Sequence, residues 1–231
     1  KRQVYVVAKI YDAVGNFTYS PKQRYMCDNQ GPEQVKNVKC IAVDGTTATL
    51  SWSDVSDDDI SYFVVECKQS DGVWKSVSRT STNLGVNLSG LTPEHDYVYR
   101  VIGYDKRSNR GTPSEEITVT TLKDTICPKV TKITPDPGYF KSEINLRFTA
   151  EDDYRVKSIE IQTSTDKESW KTVSEIKATG ESAKCTFDCK LDLKNYEEGS
   201  VFVRAKVYDS YGNVTEDKAL TCYDMLLTEQ L

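Results

Sequence analysis

The stretch Val4–Thr18, VYVVAKIYDAVGNFT, returns at Val201–Thr215 as VFVRAKVYDSYGNVT, with nine of fifteen positions identical and no gap. Both copies alternate apolar and polar residues up to a Tyr-Asp pair, turn through Gly-Asn and resume as an extended run, which is the signature of a β-hairpin. Asp12 and Asp209 stand at the same place in the two copies and are expected to brace the turns by side-chain to backbone bonds. An internal repeat constrains architecture before any local pattern does, and this one describes strands. In the second copy the hairpin closes a long strand-rich stretch, whereas the first copy begins at residue 4; residues 1–30 are therefore expected to be the C-terminal strands of a truncated module.

The 231 residues suffice for two domains of about 100 residues each. Hydrophobic residues make up 38% of the chain, with 14 Tyr and 3 Trp, which is enough to fill packed cores and too much for a disordered polymer. The net charge of −5 comes from both signs mixed along the whole chain, without a basic block to neutralise phosphates, so nucleic acid is not an expected partner. The longest apolar runs are about five residues against the roughly 20 that span a bilayer, so no membrane insertion is expected in this segment.

Residues 31–122 read as short alternating strands separated by turn signals, the pattern of a β-sandwich. The strands are expected to begin near Val38, Ala48, Ile60, Val73, Gly85, Tyr97 and Ile117. No window carries sustained helical spacing. Pro32 opens the module, Trp52 ends ATLSW, ISYFVVEC reads as a third strand, Leu91-Thr-Pro93-Glu-His-Asp-Tyr97 forms a corner, and GTPSEEITVTTL closes it. In these residues the module resembles the fibronectin type III family. The resemblance implies a seven-strand sandwich with Trp52, Leu91, Pro93 and Tyr97 in structural roles, the Tyr97 hydroxyl bonding back to the chain. It implies no particular function, because such modules serve as adhesive surfaces, spacers and receptor domains alike. The Arg-Gly-Asp tripeptide of some members is absent.

Residues 123–231 keep the same rhythm: VTKITP, EINLRFTAEDD, VKSIEIQTSTDKESWKTVSEI, SAKCTFDCKLDL and the shared hairpin. The phrase Ser164-Thr-Asp166-Lys-Glu-Ser-Trp170-Lys echoes Ser70-Asp71-Gly72-Val73-Trp74-Lys, a polar turn followed by a Trp placed to pack across the sheet. This part resembles bacterial immunoglobulin-like domains, which implies that residues 1–30 are the tail of such a domain. The expected fold class is all-β, tandem immunoglobulin-like and fibronectin type III β-sandwiches, with short linkers near Gly31 and Asp124 and a semi-rigid rod as the result.

Strand parity places Cys40, Cys67, Cys185 and Cys189 on core faces, as small buried hydrophobes rather than disulfides; Cys40 with Cys67 is the best candidate pair. Free thiols in an exported chain would imply a reducing setting. No Cys-x-x-Cys exists to suggest zinc. His95, the only histidine, lies in a corner turn and offers no catalytic arrangement, so no enzyme activity is expected. Asp54, Asp57, Asp58 and Asp59 follow Trp52, and Glu151, Asp152 and Asp153 occupy the corresponding loop of the last module. Oxygen-rich loops can hold calcium, but solvated charge is the simpler account and no calcium-loop spacing is present; no metal and no cofactor is assigned. Asp57, Asp58 and Asp59, together with Tyr139 and Phe140, an aromatic pair beside Pro135 and Pro137, are the candidate binding loops.

The expected role is a non-catalytic structural or adhesive spacer of a large extracellular or cell-surface protein, touching neighbouring modules and a protein or glycan ligand. Two alternatives stay open: accessory modules of a secreted carbohydrate-active enzyme, and a subunit of an extracellular filament in which a neighbour completes the strand edges of residues 1–30.

Overall fold

Strand follows strand through the chain, and no α-helix occurs among the described residues. A two-residue hydrophobic period buries one face of a strand and cannot bury one face of a helix. The computed structural model describes residues 2–197, 199–216 and 221–225. By compactness the chain divides into two units. One takes the described residues of Lys1–Val43, Thr47–Ser89 and His95–Thr120, the other those of Asp44–Thr46, Gly90–Glu94 and Thr121–Leu231.

In the first unit β1 (Arg2–Val6), β2 (Lys9–Tyr11), β3 (Phe17–Tyr19) and β4 (Gln23–Cys27) form two antiparallel two-stranded sheets, β1 with β4 and β2 with β3. Next come β5 (Lys39–Val43), β6 (Thr47–Ser51), β7 (Ile60–Lys68), β8 (Trp74–Thr80), β9 (Gly85–Ser89), β10 (Asp96–Asp105) and β11 (Ile117–Thr120), each beginning within one residue of the expected start. They make two sheets, β5-β6-β9 and β11-β10-β7-β8. Ala48 and Leu50 from β6, Phe63, Val65 and Cys67 from β7, Leu88 from β9, Tyr99 and Val101 from β10 and Val119 from β11 are buried at alternate positions. Trp52, just past β6, meets Phe63 edge to face at 5.6 Å. Burial raises the Tyr99 hydroxyl and the Cys67 thiol above their ordinary pKa values.

The second unit contains β12 (Lys129–Thr134), β13 (Gly138–Phe140), β14 (Glu143–Glu151), β15 (Val156–Ser164), β16 (Lys171–Lys177), β17 (Lys184–Asp192), a single 3-10 turn at Leu193–Asn195, β18 (Gly199–Asp209), β19 (Val214–Glu216) and β20 (Thr221–Met225). One sheet runs β12-β14-β17 and the other β13-β20-β18-β15-β16, with β19 on β18. This is the strand order of the first sandwich, with β13 added parallel to β20. Ile144, Leu146, Phe148, Ala150, Ile159, Ile161, Phe187, Leu191, Val201, Val203, Ala205 and Val207 form its core.

The two copies of the repeat meet opposite environments. Val201, Val203 and Val207 are 1%, 0% and 0% exposed, whereas the corresponding Val4, Val6 and Ile10 are 40%, 50% and 56% exposed. Near-identical strands bury or expose the same face according to whether a second sheet lies over it, and β1–β4 carry none among the described residues.

Two expectations are corrected. Cys67 and Cys189 are buried; Cys185 packs against the core of the second unit but, like Cys40, is only half-buried, and the six described cysteines are free thiols, Cys40 and Cys67 included. Cys40 keeps the alternation, half-buried between exposed Lys39 and Ile41; the alternation breaks after it, where β5 slips register against β6 between Cys40 and Ala42 and the bulge leaves Ala42 exposed. Tyr139 and Phe140 do not form a loop: both lie in β13, where Tyr139 points outward, 70% exposed, and Phe140 packs against the core.

Candidate functional site

The braced hairpin of the repeat occurs three times among the described residues. Asp12 Oδ1 accepts the Val14 and Asn16 amides at 3.0 and 2.8 Å, and its Oδ2 accepts Asn16 Nδ2 at 2.8 Å. Asp209 repeats the pattern with the Tyr211 and Asn213 amides at 2.8 Å and Asn213 Nδ2 at 2.6 Å. Asp105, in the middle sandwich, repeats it with the Arg107 and Asn109 amides at 2.8 Å and Asn109 Nδ2 at 2.7 Å. The expected turn braces at Asp12 and Asp209 are therefore present, and a third goes unnoticed in a plain reading because Ser108 stands where Gly15 and Gly212 stand. All three residues adopt positive φ, at 94°, 64° and 90° in chain order.

At two of these hairpins further carboxylates converge. Asp28, Asp59 and Asp105 form one set and Asp124, Asp152 and Asp209 the other; in each, one carboxylate oxygen per residue lies within 4.8 Å of the others. The two sets draw on equivalent places: the segment leading into the sandwich, the loop before β7 or β15, and the turn after β10 or β18. The leading segment is held by the hairpin asparagine, whose Nδ2 donates to the Asp28 carbonyl (Asn109, 3.1 Å) or the Asp124 carbonyl (Asn213, 3.2 Å). Gly31 fits this approach because a Cβ there would stand 2.1 Å from the Arg110 carbonyl oxygen.

The electrostatics are unbalanced. Asp124 is 2% exposed; its Oδ1 accepts the Ile126 amide at 2.9 Å, while Oδ2 is buried without a partner. Asp152 Oδ2 accepts the Tyr154 and Arg155 amides, and Oδ1 is likewise buried and unpartnered. Burial raises the pKa of both groups, and neighbouring carboxylates, Asp153 and Asp209 for each, push the same way. At Asp105 burial also acts upward, but the donors from Asn109 and Arg107 outweigh it and leave the carboxyl below its ordinary value.

Of the acidic residues singled out in the sequence, Asp59 and Asp152 enter these sets. Asp57 and Asp58 remain in the loop, Asp57 accepting the Ile60 amide through its carbonyl, and Asp58 is exposed. Glu151 pairs with Lys184 at 2.5 Å, and Asp153 accepts the Thr46 hydroxyl at 3.0 Å. Asp28, Asp105 and Asp124 were not anticipated. Their signals are an Asp four residues before a proline (Pro32, Pro128) and a Tyr-Asp followed by Asn four residues after the Asp.

The echoed tryptophans also share surroundings. The Arg100 guanidinium lies 4.0 Å from the Trp74 ring centre and is held by Glu66 at 2.7 Å; Arg204 lies 4.3 Å from Trp170 and is held by Gln162 at 2.7 Å. Leu91 and Pro93 are buried, while Tyr97, half-buried, stacks on Tyr99 and takes the exposed His95 edge-on at 4.8 Å.

Residues 33–120 match the fibronectin type III domain family. The solution structure of the fibronectin type-III domain of human fibronectin type III domain containing protein 3 is 25% identical over 43% of this chain and 94% of that one, with a TM-score of 0.38. The crystal structure of chicken CNTN1 FN1-FN3 domains is 16% identical over 84% of this chain and 67% of that one, TM-score 0.38. The FN5 domain of Drosophila Lar is 21% identical over 40% and 99%, TM-score 0.34. No curated protein sequence matches the chain. Within its all-β frame, residues 33–120 are thus the segment of the chain that matches the fibronectin type III domain family.

Proposed function

We propose that the chain is a non-catalytic structural or adhesive spacer within a large extracellular multi-domain protein, linking or projecting functional domains and presenting surface to a protein or glycan ligand. Fibronectin type III domains are typically structural or adhesive modules of multi-domain proteins, and no helix among the described residues is long and apolar enough to cross a membrane. The observation that carries the reading is the recurrence of a frame: two sandwiches of one strand order share a Trp–Arg stack and an Asp–Asn hairpin. What recurs holds strands and turns in place. Repetition of such a frame adds links without adding chemistry.

The test is sedimentation of the full chain over a wide concentration range, paired with turnover assays on polysaccharide and peptide substrates. A concentration-independent monomer without turnover supports the spacer reading. Turnover by the purified chain, or a particle that grows with concentration, overturns it.

A further inference from the structure

The Asp124, Asp152 and Asp209 set stands apart from the spacer role. Its members come from the segment leading into β12, the loop before β15 and the turn after β18, so only the folded sandwich brings them together. On one side each carboxylate is fixed by donors: the Ile126 amide for Asp124, the Tyr154 and Arg155 amides for Asp152, and the Tyr211 and Asn213 donors for Asp209. Two oxygens, Asp124 Oδ2 and Asp152 Oδ1, are left buried with nothing to meet them, and Asp124 is 98% buried.

Anionic oxygens out of water without a donor or a counter-charge are strongly disfavoured. The groups acting most on Asp124 besides its own amide donor are further carboxylates, Asp153, Asp209 and Asp44, so the surroundings aggravate the cost. A divalent cation reverses the balance by turning the orphaned oxygens into ligands. We propose that Asp124, Asp152 and Asp209 bind a calcium ion.

The choice of ion follows from the donors. All are oxygens, which disfavours zinc, whose protein ligands are chiefly imidazole and thiolate. Ligands held at about 2.3–2.6 Å from one centre stand at most about 5 Å apart, and one carboxylate oxygen from each of the three residues lies within 4.8 Å of the other two. Calcium accepts six to eight oxygens in irregular geometry, whereas magnesium demands a tight octahedron and keeps much of its water, fitting sites with one or two carboxylates. The Asp28, Asp59 and Asp105 set has equivalent chain positions and one orphaned oxygen on Asp28, but Asp28 is only half-buried; the inference is confined to the Asp124 set.

The experiment is calcium titration of the full chain after chelator treatment, followed by calorimetry and by equilibrium dialysis with radioactive calcium, for wild type, Asp124→Asn/Asp152→Asn and the exposed-turn control Glu168→Gln. The wild type and Glu168→Gln are expected to saturate below about 1 mM, and the double variant to hold one equivalent less. Terbium supplies a second reading, because Tyr154 and Tyr211, with rings 5.8 Å apart, flank the set and should sensitise its emission. That emission should fall several-fold in the double variant, or in Asp152→Asn alone should the double variant fail to fold. Calcium should raise the melting temperature of the wild type and leave that of the double variant unmoved. A double variant that binds as much calcium as the wild type overturns the proposal. So does a wild type that melts alike in calcium and in chelator, which would mean that shared protons relieve the set.

Discussion

Val203 and Val6 occupy the same place in the repeat, one in a closed core and one on an open sheet, and truncating each to alanine separates the effect of sequence from that of layering. Val203 is fully buried, so Val203→Ala removes two methyl groups worth about 1.6 kcal/mol in transfer free energy. A residual void of roughly 50 Å³ at about 24 cal/mol per Å³ adds about 1 kcal/mol, and partial collapse keeps the total near 2–3 kcal/mol. Val6 is 50% exposed and has no second sheet over it, so Val6→Ala forfeits less than about 1 kcal/mol and opens no void. For a sandwich of this size 2–3 kcal/mol lowers the melting temperature by roughly 10 °C or more. Denaturant titration followed by hydrogen exchange of individual peptides resolves the two units: Val203→Ala should weaken protection across β14, β15, β17 and β18, while Val6→Ala leaves those peptides unchanged. Equal losses for the two substitutions, or none for Val203→Ala, would refute the layering argument.

Ser108 holds φ 64° where the sister hairpins use glycine, so Ser108→Gly should stabilise the first unit by up to about 1 kcal/mol, read as a higher denaturation midpoint; a lower midpoint would mean the strain is absent. Iodoacetamide at neutral pH should modify the exposed Cys27 and Cys127 and spare Cys67 and Cys189, which are buried and whose thiols are raised by that burial, until denaturant is added; site-resolved mass spectrometry gives the order directly. Glu160 accepts bonds from the Thr172 hydroxyl, Gln162 and Tyr208, which hold its carboxyl below the ordinary 4.5. A lowered folded value stabilises above pH 4.5 and is lost as pH falls through it, so Glu160→Gln should flatten the acid dependence of the second unit's melting below about pH 4.5 while lowering its stability at neutral pH. An unchanged acid slope would count against that network.

The strand frame was legible because its signals are local: alternation, turn residues and the placement of Trp74 and Trp170 each act within a few positions. Where a local rule failed, a non-local cause intervened. The bulge between Cys40 and Ala42 depends on pairing with β6, and β13 exists only by lying beside β20. The carboxylate sets were legible one member at a time. Asp59 and Asp152 stand out in acidic runs and Asp209 in the repeat, while Asp124 is marked only by its place four residues before Pro128, which does not say that it joins them, since three segments meet only after both sheets have formed.

That separation carries a kinetic meaning. The Asn213 side chain and the Asp124 carbonyl it holds are 89 residues apart, and the matching pair, Asn109 and Asp28, 81. Contacts of such range close late, after nearer pairings such as β15 with β16 have nucleated the sheets, because the chain entropy of a long loop must be overcome before the contact rewards it. A nascent or partly folded sandwich, strands largely formed and leading segment still loose, would lack its carboxylate set altogether. The set is then a marker of completion, expected among the late contacts to close, together with the pairing of β13 and β20 at a similar separation.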